Sequence, residues 1–257
     1  MRTIKLVIAY DGTNYSGWQK QKNAPTIQEK LERAVSMICN TETVVHSAGR
    51  TDSGVHALAM AAHFKTNSRV SCDDLQRGLN SLLPAAIRIL AASGEPADFH
   101  ARYSALAKTY RYTIFTGPIL CPHNRLYTLH VPYQLSIAPM RDCLAKLIGE
   151  HDFSSFEKTG SRDKSRENSR GAVRTLFRAE LEQPEPSIIH FNFTGDGFLR
   201  HMVRSIVGTI LEIGSGKQTV EAFARILASK DRNKAGTTAA SCGLHLVKVH
   251  YKQDWQR

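Results

Sequence analysis

The chain is poor in the residues that staple, span or coordinate. Its 257 residues include only five cysteines, Cys39, Cys72, Cys121, Cys143 and Cys242, no two of them closer than 22 positions. No C-x-x-C pair occurs, which excludes a zinc knuckle and a thioredoxin-like redox motif. Scattered thiols in odd number fit a reducing compartment. No apolar run approaches the ~20 residues of a membrane helix, and the opening Met1-Arg2-Thr3-Ile4-Lys5-Leu6 lacks the apolar stretch of a signal peptide. The expectation is a soluble cytoplasmic protein. Eleven histidines include no H-E-x-x-H and no cluster at metal-ligand spacing, and G-x-S-x-G is absent. Gly214-Ser215-Gly216-Lys217 imitates a phosphate loop, but Leu211 and Gln218 stand where glycine and Ser/Thr are required, so it reads as a helix end and loop.

Acidic residues are also scarce relative to basic ones. There are 23 Asp+Glu against 34 Lys+Arg, a formal net charge of +11, while 42% of residues are apolar and 22% charged. That balance excludes a disordered chain, and the length allows one large domain or two of roughly 100–150 residues. The excess charge favours a polyanionic partner. A membrane surface would call for a basic amphipathic helix, which is not found.

Element order divides the chain in two. Leu6–Tyr10 reads as a strand ending at the Asp11-Gly12 turn. Thr26 and Glu29 cap a helix whose apolar positions are Ile27, Leu31, Ala34, Val35 and Ile38. Strands follow at Val44-Val45 and Met60–Phe64. Ser71 and Asp74 then cap a helix stopped by Pro84, and Ile87–Leu90 closes a βαββαβ unit. The second half reads the same way. It has a strand at Lys108–Phe115, a helix from Pro139 to Ile148 ended by Gly149, and strands at Val173–Leu181 and Ile188–Phe193. An apolar helix at Phe198–Ile213, a shorter one at Val220–Ala228 and a strand at Leu244–Tyr251 complete it. The predicted fold is α+β, two ferredoxin-like (split βαβ, RRM-like) halves, each with an antiparallel sheet. The predicted domains are residues 1–104 and 105–257.

Four segments carry chemical potential. Gly49-Arg50-Thr51-Asp52-Ser53-Gly54 lies between two strands. It reads either as turn formers or as a carboxylate held at a sheet end, with Arg50 placed for a phosphate or an unstacked base. In Lys108-Thr109-Tyr110-Arg111-Tyr112, strand alternation puts the two tyrosines on one face, as core or as a base-stacking platform. On the Phe198–Ile213 helix, Arg200 and Arg204 share a stripe with His201 and Ser205, which reads either as a solvated face or, on a helix too apolar to be peripheral, as the lining of a cleft. Ser161–Arg178 carries Arg162, Lys164, Arg166, Arg170, Arg174 and Arg178, either a solvated loop or a clamp on an RNA backbone.

Taken in order, these segments resemble the tRNA pseudouridine synthase A (TruA) family over nearly the whole chain. The resemblance runs through Tyr10-Asp11-Gly12-Thr13, Gly17-Trp18-Gln19, Gly49-Arg50-Thr51-Asp52, Gly54-Val55-His56-Ala57, Phe99-His100-Ala101-Arg102, Lys108-Thr109-Tyr110-Arg111-Tyr112, Gly149-Glu150-His151-Asp152-Phe153, His201-Met202-Val203-Arg204 and Ala235-Gly236-Thr237-Thr238. The chain departs at Ala239-Ala240-Ser241-Cys242, where the family usually has a proline. The resemblance implies an isomerase that converts uridine to pseudouridine at positions 38, 39 and 40 in the anticodon arm of tRNA. It implies Asp52 as catalytic carboxylate, Tyr110 as active-site tyrosine and Arg204 as the basic partner of Asp52. Arg50, Arg102, Arg162, Lys164, Arg166 and Arg170 would bind RNA, with Arg50 helping to extrude the base. It also implies that the two halves form a continuous, mostly antiparallel sheet with a central active-site cleft, and it implies a homodimer, no metal or cofactor, and neither DNA nor membrane as partner. A non-catalytic RNA-binding module is the competing expectation. A carboxylate among arginines gives a pure phosphate binder nothing.

Overall fold

The computed structural model describes residues 1–160, 170–252 and 255. Contacts divide the chain into two units. The first is Met1–Lys108 together with the stretch that begins at His245, and the second is Thr109–Leu244.

In the first unit, alternation of apolar residues drives strand formation. Ile4, Leu6, Ile8 and Tyr10 of β1 (Arg2–Tyr10) are buried at every second position. β1 pairs antiparallel with β3 (His56–Thr66) on one side and β4 (Ile87–Glu95) on the other. The short β2 (His46–Ser47) pairs antiparallel with the C-terminal half of β3. The order β4-β1-β3-β2, with helices α1 (Ile27–Cys39) and α2 (Cys72–Leu82) as crossovers, is that of a split βαβ. Both expected caps form. The Thr26 hydroxyl accepts from the Glu29 N–H at 3.4 Å, and Ser71 Oγ accepts from the Asp74 N–H at 3.1 Å. Asn80 fixes α2 to β4 by exchanging two hydrogen bonds with the Ile89 backbone.

The last strand is a departure from element order. β10 (Leu244–His250) pairs in parallel with β3, His245 opposite His56 and Leu246 opposite Ala57, and so belongs to the first unit rather than to residues 105–257. Sequence order alone assigns a strand to its neighbours along the chain. Here stacking of the His245 ring on His56, centroids 4.7 Å apart, helps to fix the long-range partner.

The second unit has the strand order β5-β9-β8-β7, formed by β5 (Ala107–Phe115), β7 (Gly149–Asp152), β8 (Val173–Glu185) and β9 (Ile188–Gly195). A short β6 (Leu129–His130) runs parallel to β5. Helices α3 (Ile137–Ala145), α4 (Met202–Gly214) and α5 (Val220–Ser229) cover it, and α4 is buried along nearly its whole length. The whole is α+β and mostly antiparallel, as expected.

Several expected boundaries move. The short strand expected at Val44-Val45 lies at His46–Ser47 instead. Gly149, with φ of +102°, opens β7 instead of capping the preceding helix, which ends at Ala145 and continues as a tight turn to Ile148. Helix α4 starts at Met202, not Phe198. His201 sits at φ +66°, a left-handed conformation that a helix interior does not accommodate. Arg200 therefore lies in a turn before the helix. Ser205 is fully buried, its Oγ 3.3 Å from Thr238 Oγ1, so the expected Arg200–Ser205 stripe does not form. Among the described residues, no helix is long and apolar enough to cross a membrane.

Candidate active site

Asp52 stands in the loop that joins β2 to β3, and this loop is built from the first unit's own backbone. Thr51 is its buried anchor. Its hydroxyl meets the Tyr10 phenol at 2.8 Å, and its carbonyl accepts from the Trp18 N–H at 3.1 Å. The Val55 N–H closes the turn on the Asp52 carbonyl at 3.2 Å. The Tyr15 carbonyl accepts from the Gly54 N–H at 3.3 Å and from Ser53 Oγ at 3.2 Å.

Two glycines make this packing possible. Gly17 lies at φ +93°, and a Cβ there would sit 2.5 Å from the Thr51 carbonyl oxygen. A Cβ on Gly12 would come within 2.1 Å of the Val55 carbonyl oxygen. The first segment after β1 is thus pressed against both ends of the Thr51–Val55 stretch, in which Asp52 is half-buried at the start of the turn, Ser53-Gly54 form its tip, and the preceding Arg50 is exposed. Downstream of the turn, His56 is buried, its Nδ1 3.1 Å from the Gly12 N and 3.2 Å from Asp11 Oδ1. Burial pushes the nearby Tyr15 phenol up, with Asp11 adding to the shift.

The second unit holds Tyr110 and Arg204. Burial along β5 alternates as expected, with Tyr110, Tyr112 and Ile114 inside. Arg111 faces the other way, its Nε donating to Asn192 at 2.9 Å. The Tyr110 ring meets Phe198 edge-on at 4.9 Å, a T-shaped contact that fixes the ring plane. Arg204 projects from the first turn of α4, and its Nε–H donates to the Ala239 carbonyl at 2.7 Å. The neighbouring Ala240 carbonyl accepts from the Tyr112 hydroxyl at 2.7 Å. Burial drives the Tyr112 phenol far up, only partly opposed by Arg204, so the phenol stays a hydrogen-bond donor.

The segment after α5 reaches these partners because glycines admit it. A Cβ on Gly208 of α4 would lie 1.7 Å from the Thr237 carbonyl oxygen, and one on Gly243 would lie 2.7 Å from the Tyr112 ring.

The expected RNA-binding residues fare differently. Arg50 and Arg102 are exposed. Arg170 is ion-paired with Asp196. Arg162, Lys164 and Arg166 lie outside the described residues. Sequence reading missed Lys108, whose Nζ comes within 3.4 Å of where a Gly49 Cβ would be, against the Asp52 loop. Its only signal was a charge opening an otherwise aromatic strand. Among the described residues, no group of three His, Cys, Asp or Glu side chains is arranged to hold a metal.

Residues 6–104 and 144–252 match the family model described as tRNA pseudouridine synthase. The relative named tRNA pseudouridine synthase A 1 of Desulfotalea psychrophila is 54% identical over 251 residues, covering 98% of this chain and 100% of its own. The tRNA pseudouridine synthase A of Acetivibrio thermocellus is 43% identical over 251 residues with the same coverage. The chain belongs to the tRNA pseudouridine synthase A family. It is therefore an isomerase. Asp52 falls in the first matched stretch of this synthase and Arg204 in the second, with Tyr110 between them. A solved Cbf5-Nop10-Gar1 complex contains a chain that is 12% identical, with 94% of this chain and 57% of that chain covered and a TM-score of 0.36.

Proposed function

We propose that this synthase isomerises uridine to pseudouridine in the anticodon arm of tRNA, at positions 38, 39 and 40, with Asp52 as the catalytic carboxylate. The observation that carries the reading is the Thr51–Val55 turn. Half-buried Asp52 opens this turn, whose backbone is held by hydrogen bonds and by two glycines that admit no side chain. Such rigidity suits a group that must meet one atom of a bound nucleotide.

The reaction breaks the N1–C1′ bond of uridine, turns the uracil, and joins C5 to C1′. The C5 proton goes to solvent and N1 gains one, so the exchange is redox-neutral. An ionised carboxylate serves it by attacking the sugar or base, or by abstracting a sugar proton. In this reading Arg204 serves as the basic partner of Asp52, and Tyr110 offers a ring face to the uracil. Arg50 helps to hold the nucleotide out of its stack, which costs a few kcal/mol. The basic surplus supplies sequence-independent affinity. The synthase works as a cytoplasmic homodimer.

Asp52→Ala and Asp52→Asn test it. Both variants abolish tritium release from C5-labelled uridine in tRNA while retaining tRNA binding. Turnover near wild type in either variant refutes the assignment. A wild-type protein that binds tRNA tightly yet leaves it unmodified would make this chain a binding module.

A further inference from the structure

A ladder of four rings lies on the first unit, outside the Asp52 loop. His63, on β3, is buried and roots it. His46, exposed on β2, stands opposite His63 in the strand register, the two rings stacked at 5.2 Å. His100 lies 4.6 Å from His63 and 5.7 Å from His46. Tyr103 packs on His100 at 4.3 Å and is 77% exposed. Isolated exposed aromatics are ordinary. This one is held in place from below, so presenting its ring to a ligand costs little ordering entropy.

The ladder is not a metal site. His63 Nδ1 accepts the Ala101 N–H at 3.2 Å, and His100 Nδ1 accepts the Arg102 N–H at 3.1 Å, so each ring has a nitrogen lone pair committed to backbone. Nor is it a store of positive charge. Burial, then the neighbouring imidazoles and Lys65, hold His63 down to about 4. Burial and His46 also lower His100, with Arg102 and Lys65 adding to the effect. These two inner rings are therefore neutral near pH 7. The permanent charge stands at the rim. Arg102 lies 5.9 Å from the Tyr103 ring centroid, and Lys65 is exposed two residues from His63 on the same strand face.

We propose that Tyr103 and the histidine ladder beneath it form a second nucleotide subsite, which stacks one unpaired base of the RNA substrate on the Tyr103 ring. Arg102 and Lys65 take the flanking phosphates. Flat uncharged ring faces bordered by fixed cations match a single-stranded nucleotide, whose base stacks without regard to sequence. The subsite is continuous with the catalytic segment, because β2 carries His46 and runs directly into Gly49-Arg50-Thr51-Asp52. It rests on the reading that RNA is the substrate, and it adds a point of grip away from the target uridine.

The test is tRNA affinity by filter binding, with tritium release at saturating tRNA measured in parallel. Tyr103→Ala weakens binding about tenfold, whereas Tyr103→Phe and Tyr103→Trp stay within about twofold of wild type. The maximal rate is unchanged in all three. Arg102→Ala flattens the logarithmic dependence of affinity on salt by about one. Affinity of Tyr103→Ala equal to wild type overturns the subsite, as it would if this face met a protein instead. Equal losses in Tyr103→Ala and Tyr103→Phe overturn stacking in favour of a hydroxyl contact. Tyr103-dependent binding without any tritium release refutes the assigned reaction and leaves the subsite standing. A wild-type chain with no affinity for RNA removes both.

Discussion

Arg204 and Ala239 hold each other from both sides. The Arg204 Nε–H donates to the Ala239 carbonyl at 2.7 Å, and the Ala239 N–H returns a bond to the Arg204 carbonyl at 3.1 Å. The Nε edge of the guanidinium is thereby committed to the protein.

Lysine cannot reproduce this. It offers a point charge with no Nε–H and no fork. Arg204→Lys should keep the fold, judged by circular dichroism, yet lower single-turnover tritium release by about 10²-fold. A rate near wild type would show that charge alone is what position 204 supplies.

The same segment accommodates the proline that this chain lacks. Ala240 has φ −57° and ψ 153°, within the range a proline ring imposes. Ala240→Pro should stabilise the protein by about 0.4–1 kcal/mol by restricting the unfolded chain, seen as a raised Tm. It should leave the Tyr112 bond to the residue 240 carbonyl intact. A lowered Tm would mean that the segment needs freedom at this point.

Gly17 offers a prediction on the Asp52 loop. Gly17→Ala forces a Cβ toward the Thr51 carbonyl at a positive φ. It should cost about 1–3 kcal/mol in chemical denaturation, and it should reduce kcat more than tRNA affinity because the turn under Asp52 shifts. Equal losses in both would indicate general loosening.

Acid should weaken the first unit through His63. Its folded-state value of about 4 lies below the ordinary ~6.5 of the unfolded chain. The unfolded form takes up a proton first as pH falls. Stability that is complete above about pH 6.5 is then lost progressively toward pH 4, by about 3 kcal/mol from this group. Urea unfolding between pH 7.5 and 4.5 measures it, and His63→Gln should flatten the slope by about one proton. An unchanged slope in that variant would assign the acid sensitivity elsewhere.

The first unit was legible wherever structure is local. Apolar alternation marks β1, and Thr26 and Ser71 announce their helices. β6 and β7 were not legible, since strands of two and four residues carry too little alternation to register. The apolar run into α4 hid the break at His201, because a left-handed residue leaves no periodic trace. The site divides the same way. Asp52 sits in a contiguous, glycine-bounded motif that can be read directly. The bond from Tyr112 to Ala240 joins residues 128 positions apart, and no local pattern encodes it. The histidine ladder draws on three separate segments and was equally hidden.

The placement of β10 bears on biosynthesis. Strands β1 to β4 emerge from the ribosome first, but the edge of β3 at His56 and Ala57 waits for His245 and Leu246. At ~5–20 residues per second, that wait is on the order of ten seconds. His56 lies four residues beyond Asp52, so the flank of the Asp52 turn stays unfinished until nearly the whole polypeptide has been made. A nascent chain cut short before its final strand would carry every residue proposed for catalysis and lack the support that sets one of them in place.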